Sequence, residues 1–416
     1  PDGRPHTGAL CMKNVYSPIR TYNEGGEFVV YNRQDFLTTE NIAINWAVYD
    51  SGVLQKNGIL DIVIGAKGFA CLPKEITKSI GKDCYLIMTY ISKITDKVLG
   101  EDCLKISENL PKIDIKPGVQ AINSGENLRI TFDGGVLVIN LLSGLITSYK
   151  IDGVQLLNYK PLRPDGMSGL VGNLYSAPID NYRNVMLAWQ KAGLDKLNVE
   201  FGGIDYDEAA SVVATKHYLS AKGKRIIEYK TKYTFGTKGE IQVDSEFVSL
   251  RGKFDLPKIG YSLEMAKDFS NVKYYGYGNV ENYSDFLNQA KLGIFETTTS
   301  DMLEPYIKPQ ESGNRSGVRW VQVTNENGIG LEFVAIDKPF NFNAKTTTDD
   351  NLIAAKHLED VAIMELNNIS IDGFVRGVGS NSCGPDTRDE FKFILSKHRP
   401  FKFSFLIKPI REVENN

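Results

Sequence analysis

Apolar and polar residues alternate with a period of two along most of this chain, the pattern of strands with one face on a core and the other toward solvent. Ile42, Ile44, Trp46 and Val48 share one side of such a run, with Asn45 between them. Leu86, Met88 and Tyr90 alternate with Ile87, Thr89 and Ile91 in a second. The apolar run 58–65, closed by Gly58 and Gly65, reads as a third strand, and Asp50-Ser51-Gly52 supplies turn residues between two such runs.

Several short strands before residue 110 predict an immunoglobulin-like β-sandwich over residues 1–110. The alternation then breaks at 107–118, a stretch carrying Pro111 and Pro117, which reads as a linker. Beyond it, 128–133, 136–141 and 145–151 predict a meander, with Asp133-Gly134-Gly135, Ser143-Gly144 and Asp152-Gly153 as hairpin signals. Runs 224–235 and 240–250 predict a hairpin around Gly236-Thr237-Lys238-Gly239, and 391–395 and 401–405 predict aromatic strands. Only 184–194 carries a helical period, with Gly193 near its end. The fold class expected is all-β: the first sandwich, then a large antiparallel sandwich of many strands over 118–413.

Composition narrows the functions. The 416 residues are 42% hydrophobic and 24% charged, a globular composition with ample material for cores. A net charge of -3 without a basic stripe argues against nucleic acid as a partner. No apolar run approaches the roughly 20 residues of a membrane helix, so no membrane partner is expected. Cys11, Cys71, Cys84, Cys103 and Cys383 are scattered and form no CxxC pair, which predicts buried thiols. The start at Pro1, with Met12 the first methionine, reads as an interdomain loop of a longer parent. The compartment stays open between bacterial cytoplasm and periplasm.

Candidate chemistry is sparse. Glycoside hydrolysis with retention uses two carboxyl groups roughly 5–5.5 Å apart, and 51 acidic residues give no basis for choosing a pair by spacing. Asp180, Glu281, Asp285 and Glu311 sit among glycines, prolines and aromatics, where carboxylates commonly brace loops. His6, His217, His357 and His398 form no close pair and no HExxH, so no metal site is expected in this chain. There is no GxSxG elbow, and Gly276-Tyr277-Gly278 lacks the βαβ setting of a dinucleotide site.

Three segments stand out: YGYGNVENYSD at 275–285, PYIKPQESGNR at 305–315 running into Val318-Arg319-Trp320, and Asp372-Gly373 with GVGSNSCGPD at 377–386, which overlaps the SCGPDT run at 382–387. With APIDN at 177–181 and WQKAG at 189–193, they resemble, in order and separation, the C-terminal domain of the large β-galactosidases of glycoside hydrolase family two. The resemblance covers essentially the whole chain and departs at two points, Phe286 and Ser176, where many relatives carry arginine. It implies that residues 1–103 resemble the sandwich following the catalytic barrel, and that the terminal domain is a supersandwich resembling the galactose mutarotase fold. It further implies that both catalytic glutamates, the divalent cation and the sodium belong to a barrel absent from this chain. On that view the chain carries no catalytic residue and no cofactor. Its partners are its own catalytic barrel and β-galactoside sugars, in a parent that is a candidate homo-oligomer.

The expected substrate-rim residues are Gly278, Glu281, Asn282, Tyr283, Asp285 and Cys383, with 278–287 as a mobile rim loop. Cys383 stands where many relatives place a tryptophan, which predicts a roomier pocket. Two other functions remain open from the residues alone. A free-standing sugar epimerase would use His217 and His357 in acid–base roles. A carbohydrate-binding module would stack sugar on Tyr275, Tyr277 and Tyr283.

Overall fold

The computed structural model describes residues 5–78, 81–110, 113–157, 169–379 and 386–411. The protein is all-β, as the alternation predicts. It forms two compact units, one of residues 1–111, 275–282 and 286–295, the other of 112–274, 283–285 and 296–416. No helix among the described residues is long and apolar enough to cross a membrane.

The first unit opens with helix Thr7–Val15. It then builds a three-stranded sheet in the order Ile19–Glu24, Glu27–Asn32, Phe69–Cys71, and a four-stranded sheet in the order Val53–Ile59, Ile42–Asp50, Cys84–Ser92, Val98–Lys105. Ile44 pairs with Tyr90, Trp46 with Met88 and Val48 with Leu86, so the alternating apolar sets land on one face. They share a core with Ile19, Phe28 and Val30 of the other sheet, which makes the unit a two-layer sandwich. Gly58 lies opposite Trp46, whose ring would stand 2.7 Å from any Cβ there; only glycine leaves room for the indole.

The predicted strand 58–65 is corrected. The ladder stops at Ile59, and the rest is an extended segment whose Leu60 and Ile64 are buried while Ile59 and Val63 are exposed. Leu60 N–H donates to the Ile44 carbonyl and Ile64 N–H to Thr39 Oγ1, so scattered partners replace a ladder. The cysteines differ too. Of the four described, Cys84 is buried, Cys11 and Cys103 are half-buried, and Cys71 is exposed on its short strand.

Beside this core lies a polar knot. Asp102 accepts from Arg20 Nε, from Thr21 N–H and from the Tyr90 hydroxyl, each at 2.7 Å, and Thr21 Oγ1 lies 2.6 Å from that hydroxyl. Burial, with the Asp102 charge adding to it, drives the Tyr90 phenol well above its usual range.

The second unit begins with a five-stranded meander, Gln120–Ser124, Asn127–Phe132, Gly135–Asn140, Leu145–Ile151 and Val154–Gln155, paired in chain order. Asp152 and Gly153 both take positive φ, 47° and 83°, the conformation that a two-residue hairpin turn demands. A large sheet follows, seven of whose strands lie wholly in this unit. Their order is Asn198–Asp207, Val212–Ala221, Lys224–Phe235, Ile241–Ser249, Phe401–Ile410, Gly330–Ala335, Trp320–Thr324. A further five-stranded sheet runs Val171–Asn173, Lys258–Ala266, Leu366–Val375, Phe340–Lys345, Arg315–Val318.

Aromatic rings join these two sheets. Tyr229 stacks on His217 and Phe247 at 5.0 and 5.3 Å within the large sheet, and Tyr261 of the other sheet meets Tyr229 edge-on at 6.4 Å. Such pairs each add about 0.5–1.5 kcal/mol beyond their buried area. The Tyr261 hydroxyl bonds Thr231 Oγ1 at 2.6 Å, so its polar end is satisfied inside the sandwich.

Helix Arg183–Ala192 forms where predicted and ends at Gly193 in the left-handed region. Its Trp189 is buried, edge-on to Tyr175 and Tyr182, and donates from Nε1 to the Asp255 carbonyl. Residues 391–395 are not one strand: a short turn, Asp389–Phe391, precedes strand Ile394–Ser396, which pairs with Lys253–Asp255.

The Asp102 knot is open to test. Asp102→Asn removes the ion pair and leaves Arg20 facing a neutral group, which should cost about 3 kcal/mol. Urea denaturation of wild type and variant measures this, and an unchanged midpoint contradicts the assignment.

Candidate functional site

The sequence motifs converge in the second unit. Asp285, last residue of the first motif, accepts at its two carboxylate oxygens from Val378 N–H and Gly379 N–H, both at 2.9 Å. Gly377 admits this approach, since a Cβ there would stand 2.4 Å from the carboxylate, and Gly379 takes φ +83°. Successive amides pointing at one carboxylate form an anion-binding concavity, filled here by the protein's own side chain. The Gly377 carbonyl accepts from Tyr182 OH at 2.7 Å and from Thr387 Oγ1 at 3.0 Å, and the Val378 carbonyl from Asn181 Nδ2 at 3.1 Å. Asp180 N–H donates to Gln310 Oε1 at 3.1 Å, bringing in the second motif.

Arg376 underpins the same segment. Its enclosed guanidinium contacts both Asp386 oxygens at 2.8 Å and Asp255 at 3.2 Å, and lies 5.0 Å over the Tyr182 ring. Burial opposes its charge, but the Asp386 and Asp255 carboxylates outweigh burial and raise its pKa.

A second charged cluster lies deeper. Lys345 Nζ donates to Glu311 Oε2 at 2.8 Å and to Asp349 Oδ1 at 3.4 Å. Lys258 Nζ stands 3.9 Å from Asp349 and 3.8 Å from Asp372. Glu311 also accepts from Asn343 Nδ2 at 3.1 Å. Burial, together with the nearby Glu311 and Asp349 charges, pushes the Asp372 carboxyl up to about 7 even though Lys258 pulls it down. Two cations thus face three carboxylates, and the least compensated carboxyl keeps its proton to near neutrality. Of this cluster Glu311 and Asp372 lie in segments that stood out in the sequence.

The expected rim residues divide. Gly278, Glu281 and Asn282 group with the first unit, Tyr283 and Asp285 with the second. Glu281, Asn282 and Tyr283 are buried. Asn282 Nδ2 donates to the Tyr277 and Val280 carbonyls, and Gln289 Nε2 to those of Glu281 and Phe286. Within the stretch 278–287, Asn282 and the neighbouring Gln289 supply backbone partners that solvent would otherwise provide. Cys383 lies outside the described residues.

The residues of the other two functions are placed as well. His217 is buried, its Nε2 2.7 Å from the Ser143 carbonyl, and burial lowers its pKa. His357 is exposed before the turn Leu358–Asp360. Tyr275 is buried and donates to Asp83 Oδ2 at 2.7 Å, so its ring is no open platform. Among the described residues no three His, Cys, Asp or Glu side chains gather to hold a metal ion, so they do not fit the divalent cation that the family resemblance implies.

The architecture is thus an all-β chain in which the motif carboxylates of Asp285 and Glu311 are hydrogen-bonded braces. The Beta galactosidase small chain family matches residues 133–407, and the chain belongs to that family. A β-galactosidase of Actinobacillus pleuropneumoniae is 28% identical over 421 residues, covering 97% of this chain and 40% of the relative. That of Streptococcus thermophilus is 28% identical over 347 residues, 82% and 31% of the two chains, and that of Lactobacillus delbrueckii subsp. bulgaricus 26% identical over 423 residues, 96% and 39%. The chain thus spans 31–40% of the length of these curated relatives. Among solved structures, a galactose mutarotase related enzyme from Lactobacillus acidophilus is similar at a TM-score of 0.39 and 9% identity, over 71% of this chain and 99% of that one. An aldose epimerase homologue from C. elegans is similar at 0.39 and 8%, over 72% and 100%.

The Asp372 environment makes a signed prediction. The unfolded chain releases this proton near pH 4, whereas the folded protein holds it to about 7. This contribution to stability is full below about pH 4 and is lost as pH rises through 7. Asp372→Asn lacks the titration, so its stability relative to wild type should rise between pH 4 and 8 by on the order of 4 kcal/mol. Denaturant titrations at both pH values measure it, and a pH-independent difference contradicts it.

Proposed function

We propose that this chain is the non-catalytic C-terminal part of a retaining β-galactosidase of glycoside hydrolase family two. It completes the active-site rim for a catalytic barrel outside these residues, and the parent's reaction is hydrolysis of terminal β-galactosides. Three things support the reading: the family match over residues 133–407, the β-galactosidase names of the relatives, and the fraction of each relative that the chain spans. The observation that carries it is Asp285. Its carboxylate is committed to the Val378 and Gly379 amides, and so shapes the backbone entering the Cys383 motif rather than serving an acid–base pair.

On this reading the first unit is the immunoglobulin-like domain that follows the barrel, and its three-plus-four strand order supports that. The second unit is the mutarotase-like supersandwich. Both catalytic carboxyl groups, the divalent cation and the sodium belong to the barrel. Gly278, Glu281, Asn282, Tyr283 and Asp285 act by shaping the rim, and Cys383 lines it, leaving more room for the leaving group than tryptophan would.

Purified chain should give no turnover of nitrophenyl β-galactoside above buffer, and activity should appear when the catalytic part is supplied. Turnover by the chain alone, abolished by one carboxylate substitution within it, contradicts the proposal. In the assembled enzyme Asp285→Ala should lower kcat/KM about tenfold, or roughly 1.4 kcal/mol. Cys383→Trp should change KM for bulky leaving groups more than for small ones; equal KM values for both remove Cys383 from the rim.

A further inference from the structure

A cavity of about 570 Å³ opens within the second unit, away from the Asp285 brace. Strands Asn198–Asp207 and Val212–Ala221 of the large sheet supply one wall, strand Lys258–Ala266 another, and residues 348–351 a third. The volume falls in the range of small-molecule sites, roughly 300–1,000 Å³. Neither His217 nor His357 lines it, and neither do the residues expected at the rim.

The lining selects a ligand class. Amides of Asn173, Asn351 and Asn368 and carboxylates of Glu264 and Asp349 line the cavity, a mixture of donors and acceptors that suits a ligand rich in hydroxyl groups. Leu219, Leu263 and Met364 supply apolar surface between them. Tyr175 adds a half-buried ring whose orientation is held by Trp189, 6.1 Å away and edge-on. A fixed aromatic face beside paired polar groups suits a pyranose, which is apolar on its C–H face and polar around its rim.

The lining is rich in acceptor oxygens, which take hydrogen bonds from sugar hydroxyl groups. Asp349 is already compensated by Lys345 at 3.4 Å and Lys258 at 3.9 Å. Lys196 lines the wall next to Asp195. Among the described lining residues Asp195, Glu264, Asp349 and Asp350 stand against Lys196, so a cation is the competing ligand and a titration with one decides between them.

We propose that this cavity is a sugar-binding site for a neutral pyranose, separate from the active-site rim and carried entirely by the second unit. Tyr175 is the platform, and Asn351, Asn368 and Asp349 fix the hydroxyl groups. The site would hold sugar on the enzyme without reacting it. It needs no catalytic barrel, so its test on this chain and the rim's test in the assembled enzyme fail independently.

The experiment is calorimetric titration of the full chain with galactose, with glucose and with choline. Galactose or glucose should bind saturably with a dissociation constant on the order of 1 mM. Tyr175→Phe, which keeps the ring, should bind like wild type, while Tyr175→Ala and Asn351→Ala should each weaken binding at least about tenfold. Circular dichroism and thermal unfolding identify any variant that fails to fold, and Tyr175→Phe keeps the test decisive if Tyr175→Ala does. Binding of neither sugar overturns the proposal. So does sugar binding unchanged in both alanine variants, which would place the ligand elsewhere, and so does saturable binding of choline in place of sugar.

Discussion

A carboxylate taken out of water must be paired, hydrogen-bonded or protonated, and the second unit is arranged around that constraint. Asp285 meets it with two backbone amides and Glu311 with Lys345 and Asn343. Asp372, with only a distant Lys258, meets it by keeping its proton to about pH 7. Each solution ties strands or loops that are far apart in sequence. Removing one partner would strand a charge, which is why these groups specify local geometry more than they add net stability.

The same constraint bears on what Asp285 can do chemically. A general acid or nucleophile must be free to exchange a proton or bond with substrate, whereas Asp285 has both oxygens occupied by main-chain donors. The glycines around it serve this contact. Gly377 leaves space for the carboxylate and Gly379 adopts the positive φ that aims its amide. What looks in sequence like a loop rich in Gly and polar residues is a socket filled from within.

Much of the fold was legible because alternation reports burial directly. The pairings of 42–50 with 84–92 and of 224–235 with 241–249 follow from it. It misled where both faces of a strand are covered. In Phe340–Lys345 the alternation assigns Asn343 and Lys345 to solvent, yet both are buried, because Glu311 and Asp349 cover that face. Lys258 and Asp349 therefore gave no local signal, and strand pairing such as Gly260 with Asp372 brings Lys258 and Asp372 together. Within the run 278–287, Asn282 and the neighbouring Gln289 supply hydrogen bonds to the backbone that composition alone does not reveal.

The braced socket is tested most directly by amide hydrogen exchange at Val378 and Gly379 in the wild-type chain and in Asp285→Ala. If the carboxylate holds these amides, both exchange slowly in the wild type and lose that protection in the variant, while the Tyr229 and Phe247 amides within the large sheet stay protected. Equal exchange at Val378 and Gly379 in the two proteins would show that Asp285 does not hold this segment, and would return it to the pool of candidate catalytic acids.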